Sequence, residues 1–93
     1  MSANRNSDTY RASPAALFRE MDDGAVILDL EKGVYFGLDL LGTRIWQLMG
    51  QGCNFEEIVN QLLAEYEVDR ATVEGDLEKL ALDLEKRGLV QKS

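Results

Sequence analysis

The hydrophobic period of the chain changes from two residues to about 3.6 residues within residues 33–46, and this change constrains the fold more than any other feature. Before the change, Val34, Phe36 and Leu38 fall on one face of an extended segment, because side chains alternate along a strand. After it, apolar positions recur at the i, i+4, i+7 and i+8 spacing of one helical face. Asp39 stands at the junction and is a residue type preferred at helix N-caps. The stretch therefore predicts a strand that passes directly into a helix.

Two further strands are predicted before this one. Residues 17–21 alternate in part and precede Asp22-Asp23-Gly24, whose Asp-Gly pair is a strong hairpin signal between apolar runs. The apolar run 25–30 leads into a second turn, where Gly33 suits the left-handed position of a bulged loop. Together with residues 34–38, these segments predict a three-stranded antiparallel meander.

Three helices are predicted after the meander. The first runs from about residue 40 to residue 49 and ends at a pair of glycines. The second begins at Asn54, which opens a capping box with Glu57, and the third begins at Asp69 and ends at Gly88. The apolar residues of the third helix recur at i, i+4, i+7 and i+11, and we expect them to be buried. They are Val73, Leu77, Leu80 and Leu84.

Three strands followed by three helices predict an α+β domain that resembles a winged helix-turn-helix. We assign residues 14–93 to this single domain, with Leu89 and Val90 packing back onto the core as a short tail. Residues 1–13 are polar apart from Tyr10, and we expect them to form a flexible N-terminal arm.

The composition of the 93-residue chain excludes several classes of function. Its 17 acidic and 10 basic residues give a net charge of −7, which opposes binding to a phosphate backbone. The third helix, in the place of a DNA-recognition helix, itself carries more acidic than basic residues. The chain has no histidine and one cysteine, Cys53, so neither a metal site nor an internal disulfide has support. We expect no metal, no cofactor and no nucleic acid partner.

Catalysis and membrane attachment are also unsupported. The adjacent carboxylates fall in a turn or on exposed helical faces, with no nucleophile or glycine-rich phosphate loop beside them, so the chain is predicted not to be an enzyme. The first six residues lack the apolar segment of a secretory signal, and the longest apolar runs are too short to span a bilayer. We therefore expect a cytoplasmic protein without a membrane partner.

Five short motifs follow one another between residues 17 and 90: Val26-Ile27-Leu28-Asp29, Tyr35-Phe36-Gly37-Leu38, Gly42-Thr43-Arg44-Ile45-Trp46, Glu57-Ile58-Val59 and Gly88-Leu89-Val90. In order and spacing they resemble the family of the pyrroloquinoline-quinone biosynthesis D protein (PqqD), small domains that hold the leader peptides of ribosomally made precursors. The resemblance implies the fold that the periodicity predicts. It also implies that Arg44 and Trp46 pack beneath the sheet.

The predicted strand 34–38 is an edge of the meander, and an edge strand carries unpaired backbone groups. It contains neither proline nor charge, so it is poorly defended against strand addition by an extended peptide. The resemblance implies that a leader peptide pairs with this strand and rests apolar side chains in a groove beside the third helix. It implies ten binding residues: three on the strand, four apolar and three charged residues on the helix. They are Val34, Tyr35, Phe36, Leu77, Leu80, Ala81, Leu84, Asp76, Lys79 and Asp83.

The sequence thus predicts a non-catalytic adaptor that binds a leader by strand addition and delivers the precursor to a maturation enzyme. That enzyme is a leader protease in lasso-peptide systems and a radical enzyme in others, and the motifs are most similar to the stand-alone lasso type. Two alternatives stay open: an acidic winged-helix protein that acts in transcription through protein contacts, and a dimer that closes its own edge strand. The expected oligomeric state is a monomer or a weak homodimer.

Overall fold

The structure, a computed structural model, describes residues 7–92. Within this range the chain forms five strands and three helices that pack around one core. In chain order they are β1 (Tyr10–Ala12), β2 (Ala16–Met21), β3 (Gly24–Asp29), β4 (Val34–Leu38), α1 (Leu40–Gly50), α2 (Phe55–Glu65), α3 (Arg70–Lys86) and β5 (Val90–Lys92).

The three-stranded meander is confirmed. Its strand order is β2-β3-β4, with antiparallel pairing throughout, so β2 and β4 are its two edges. Phe18, Ile27 and Phe36 stand directly opposite one another across the three strands. Because residues in register share a face of the sheet, this row faces the helices, and Ile27 at its centre is fully buried.

Two glycines allow the turns of the meander. Gly24 has a φ of +152°, and a Cβ atom at this position would lie 2.0 Å from the carbonyl oxygen of Leu38. Gly33, with a φ of +69°, ends the turn between β3 and β4 and donates its N–H to the carbonyl of Asp29 at 2.7 Å. The buried carboxylate of Asp29 also accepts two N–H groups of this turn. The turn fixes where β4 begins.

The predicted helix starts are confirmed at all three helices. Asp39 accepts the N–H of Gly42 at 2.7 Å, so α1 begins where the strand period ends. Asn54 forms a full capping box at the start of α2, and Asp69 accepts an N–H at the start of α3. A side-chain oxygen at the N-cap satisfies one of the free N–H groups of the first turn.

The α1 helix lies beneath the sheet and is held there by aromatic packing. The rings of Trp46 and Phe18 stack with centroids 6.1 Å apart, which confirms the expected position of Trp46. Arg44 differs from the expectation, because its guanidinium reaches Glu65 of α2 at 2.7 Å instead of packing under the sheet. An always-charged guanidinium is better satisfied by a carboxylate than by an apolar face.

A second sheet, absent from the sequence prediction, joins the two ends of the domain. Strand β1 pairs antiparallel with β5, from Tyr10 opposite Lys92 to Ala12 opposite Val90. Residues 10–12, which fall within the segment 1–13 predicted to be a flexible arm, thus form a strand instead, and residues 1–6 of that segment lie outside the described residues. The physical reason is Tyr10, whose side chain is buried in the core at 5% exposure.

The buried stripe of α3 also differs from the prediction by one position. Val73, Leu77, Ala81 and Leu84 are buried, whereas Leu80 is only half-buried. Positions i+7 and i+8 fall toward opposite sides of the same helical face, and here the smaller residue, Ala81, faces the core. Leu80 consequently stands at the edge of the stripe.

Candidate functional site

Strand β4 presents an open backbone edge and exposed apolar side chains. It is the last strand of its sheet, so alternate N–H and C=O groups along it face away from β3. Tyr35 is 71% exposed and Val34 is 50% exposed, while Phe36 is half-buried. The three strand residues predicted for the site therefore lie at an accessible edge.

A cleft of about 330 Å3 runs between the C-terminal half of β4, the start of α1 and the middle of α3. Its walls include the apolar side chains of Phe36, Leu41 and Leu80. Three carboxylates and one ammonium group also line it: Asp39, Asp76, Asp83 and Lys79. We call it the acidic cleft, since its charged groups sum to −2.

A second cleft of about 260 Å3 lies at the N-terminal half of β4, against the end of α3. Three cations line it, Lys32, Lys86 and Arg87, together with the carboxylate of Asp29. We call it the basic cleft. Phe36 lines both clefts, so they follow one another along the strand.

The Arg87 side chain marks the boundary between the two clefts. Its guanidinium carbon lies 4.9 Å from the ring centroid of Phe36, and its Nε donates to Asp83 at 3.0 Å. A guanidinium over an aromatic face is attracted by the ring quadrupole. Lys32 donates from Nζ to the Arg87 carbonyl oxygen at 3.2 Å, which ties the β3–β4 turn to the end of α3.

Seven of the ten predicted site residues lie along these clefts. Val34, Tyr35 and Phe36 are on the strand, and Asp76, Lys79, Leu80 and Asp83 are on the facing surface of α3. The other three, Leu77, Ala81 and Leu84, have exposures of 0 to 3% on the core side of the helix. They do not form the groove wall expected of them, because their helical positions place them in the buried core rather than beside β4.

The prediction missed groups from two other elements. Leu41 and Ile45 of α1 line the acidic cleft, and their spacing put them on the apolar face of α1 without showing which neighbour that face meets. Lys32 and Arg87 line the basic cleft although 55 positions separate them in the sequence. Only the antiparallel course of α3 relative to β4 brings them together.

The strongest electrostatic perturbation lies outside these clefts. The guanidinium of Arg44 and then the amide of Gln61 donate to Glu65, which lowers the pKa of that carboxyl to about 2. The same hydrogen bond raises the pKa of Arg44. This ion pair joins α1 to α2 and has a structural role.

Two negative findings apply to residues 7–92. No group of three or more His, Cys, Asp or Glu side chains there is arranged to hold a metal ion. None of the described helices is long and apolar enough to cross a membrane.

With this geometry in place, comparison with known proteins defines the class. Residues 24–90 match the family model described as coenzyme PQQ synthesis protein D (PqqD). The match covers well over half of the chain, so the chain belongs to the PqqD family. Comparison with the curated proteins gives no match.

Two solved structures share this fold. One is described as TbiB1 in complex with the TbiA(beta) leader peptide; it is 44% identical, with a TM-score of 0.80, over 87% of this chain and 94% of that chain. The other is described as lasso peptide synthetase B1 complexed with the leader peptide; it is 29% identical, with a TM-score of 0.80, over 88% of this chain and 96% of that chain. The α+β, winged-helix-like fold class is confirmed, and nothing in these matches points to the transcription alternative.

Proposed function

We propose that this chain is a leader-recognition protein, which binds the leader segment of a ribosomally made precursor peptide along β4. The observation that carries the proposal is the open, apolar edge of β4 beside an elongated groove. Two solved structures with the same fold are described as complexes with leader peptides, which supports the same role here.

The proposed binding mode is strand addition. An extended peptide at β4 satisfies the outward N–H and C=O groups of the strand, and these backbone bonds supply affinity without regard to sequence. Alternate side chains of the peptide then face the acidic cleft, where Phe36 of β4, Leu41 of α1 and Leu80 of α3 offer apolar contact. Val34 and Tyr35 at the strand, and the charged residues Asp76, Lys79 and Asp83 on α3, complete the proposed site.

The proposed protein is an adaptor without catalysis of its own. It holds the leader and presents the rest of the precursor to a maturation enzyme, in the cytoplasm where ribosomal precursors are made. We propose a lasso-peptide pathway with a leader protease as that enzyme, because one matching structure is described as a lasso peptide synthetase B1. In this view the protein needs neither a cofactor nor a metal.

The direct test is a titration of a fluorescein-labelled synthetic leader, taken from the precursor gene beside this one, followed by fluorescence polarisation. A scrambled leader of the same composition is the control. Micromolar or tighter binding of the leader alone supports the proposal. Equal binding of both peptides, or no binding at high micromolar protein, contradicts it.

Two variants of α3 then locate the site. Leu80 is half-buried and faces β4, whereas Leu82 is 49% exposed and lies outside both clefts. Leu80→Lys places a cation in the proposed apolar contact and is expected to weaken leader binding at least tenfold. Leu82→Lys makes the same chemical change on the other side of the helix and is expected to leave affinity within twofold. Equal losses in the two folded variants would place the peptide elsewhere.

A variant of the strand tests the backbone contribution. Tyr35→Pro removes one N–H of β4, while Tyr35→Ala removes the same side chain and keeps the N–H. The proline variant is expected to bind the leader at least tenfold more weakly than the alanine variant, provided that both keep the wild-type circular dichroism. Matching affinities for the two variants would argue against strand addition.

A further inference from the structure

The groove along β4 has opposite charges at its two ends. The acidic cleft lies at the Leu38 end of the strand and the basic cleft lies at the Val34 end. Because Asp76 lies at the first end and Lys86 at the second, α3 runs antiparallel to β4. The groove between β4 and α3 is therefore acidic at one end and basic at the other.

Some of the charged side chains that line the two clefts have partners within the domain, and others do not. Asp39 caps α1 and Asp29 holds a turn, so both carboxylates have structural work in the fold. Arg87 is held by Asp83 and by the ring of Phe36. The side chains of Asp76 and Lys86, in contrast, form no hydrogen bond or ion pair with the described residues. Their charges are available to an occupant of the groove.

The length of β4 sets the spacing between the two side chains of a bound peptide that contact the acidic cleft and the basic cleft. Four residue steps separate Val34 from Leu38, which is about 14 Å of extended chain. Side chains on one face of a strand recur every second residue. A peptide strand beside β4 thus meets the two clefts with side chains about four residues apart.

The direction of the peptide sets the order of those groups. Every strand pair of this sheet is antiparallel, and antiparallel pairing is slightly more stable per residue than parallel pairing. In an antiparallel complex, the N-terminal part of the peptide lies opposite Leu38 and the C-terminal part lies opposite Val34.

From this geometry we infer that the groove selects leaders with a basic side chain followed about four residues later by an acidic one, with apolar residues between them. The inference rests on the proposed function, since it describes which leaders that site accepts. The cation lies over the acidic cleft and the carboxylate lies against the basic cleft. The apolar side chain between them contacts Phe36 and Leu80.

The first test uses three fluorescein-labelled peptides and the wild-type protein. They are the leader of the neighbouring precursor gene, the same leader with its basic and acidic residues exchanged, and a version with both replaced by Gln. The exchanged peptide has the composition of the original, so only the order of charge differs. We expect about fivefold weaker binding of the exchanged peptide at low salt, with a smaller difference at about 0.5 M salt.

The second test changes the protein at each end of the groove. Asp76→Lys is compared with Asp22→Lys, and Lys86→Glu with Arg19→Glu, so that each control alters net charge equally at a residue that lines neither cleft. We expect about fivefold weaker leader binding for each groove variant and less than twofold change for each control. A leader whose acidic residue is replaced by Lys is expected to bind Lys86→Glu better than the original leader does.

The outcomes separate this inference from the proposed function. If the leader binds but the exchanged peptide and the groove variants bind equally well, the charge selection is wrong and leader recognition stands. A neighbouring leader that lacks a basic and an acidic residue at this spacing, yet binds tightly, overturns it in the same way. If the leader does not bind the wild-type protein at all, both proposals fail.

Discussion

The burial of Tyr10 makes the short strand β1 part of the folded domain, and this leads to a sharp prediction. Replacing Tyr10 by Ala is expected to lower the free energy of unfolding by about 3 kcal/mol. The neighbouring residue Arg11 is exposed on the same strand. Its replacement by Ala is expected to change the free energy of unfolding by less than about 0.5 kcal/mol.

The magnitude follows from area and from the position of the strand. A tyrosine buries about 150–250 Å2, which at about 25 cal/mol per Å2 gives roughly 4–6 kcal/mol as an upper estimate. Tyr10 is 5% exposed, so nearly all of this area is out of water. However, β1 has only three residues and is held by pairing with β5 and by packing against α1, so we expect it to detach once the Tyr10 side chain is lost. Once the strand has detached, the loss cannot exceed the free energy that bound it to the domain. We therefore expect about 3 kcal/mol, below the value from buried area alone.

Urea denaturation monitored by circular dichroism and by the fluorescence of Trp46 measures this change. In a domain of this size a loss of about 3 kcal/mol lowers the melting temperature by about 12–24 °C. A loss below about 1 kcal/mol for Tyr10→Ala, or an equal loss for Arg11→Ala, would refute the reasoning. The strand would then contribute little to the core.

Three further predictions concern stability. Asn54→Ala removes the capping box of α2 and is expected to cost about 1 kcal/mol in urea denaturation, with leader affinity unchanged; a neutral effect would contradict the cap. Because the pKa of Glu65 is about 2 in the folded protein, below its ordinary value of 4.5, its bond to Arg44 stabilises above pH 4.5 and is lost as the pH falls toward 2. The effect is below about 1 kcal/mol for this surface pair, and Glu65→Gln should flatten the pH dependence over that range. Gly24→Ala is expected to cost at least about 2 kcal/mol, because the new Cβ meets the Leu38 carbonyl; a wild-type melting temperature would refute this.

Sequence reasoning reached most of the fold because its signals are local. The period change at Asp39, the capping box at Asn54 and the turn at Gly33 each depend on a few neighbouring residues, and each appears in the structure as predicted. The β1–β5 sheet escaped prediction because it joins segments about 80 positions apart, each only three residues long. A three-residue segment is too short to show a period, and the pairing of distant segments leaves no local pattern.

The site was harder to predict than the fold. The strand edge was visible in the sequence, since Val-Tyr-Phe lacks any charge or proline. The helical wall was not, because an apolar stripe at helical spacing shows which residues share a face but not where its boundary falls. Leu80 and Ala81 differ by one position, about 100° around the helix, and only packing decides which of them meets the core. The charge of each cleft could not be predicted either, because it depends on the direction in which α3 runs past β4.

The two edges of the meander differ in a way that identifies the one open to pairing. Strand β2 carries Arg19 and Glu20, and charged side chains on an edge discourage the addition of another strand. Strand β4 carries neither charge nor proline, so we expect a chain that extends this sheet to pair with β4 in preference to β2. A leader peptide and a second copy of the protein would therefore compete for the same backbone groups. The net charge of −7 on each copy opposes self-association. If a dimer forms through β4 at high concentration, saturating leader must return it to the monomer, and a dimer that persists with leader bound must use another surface.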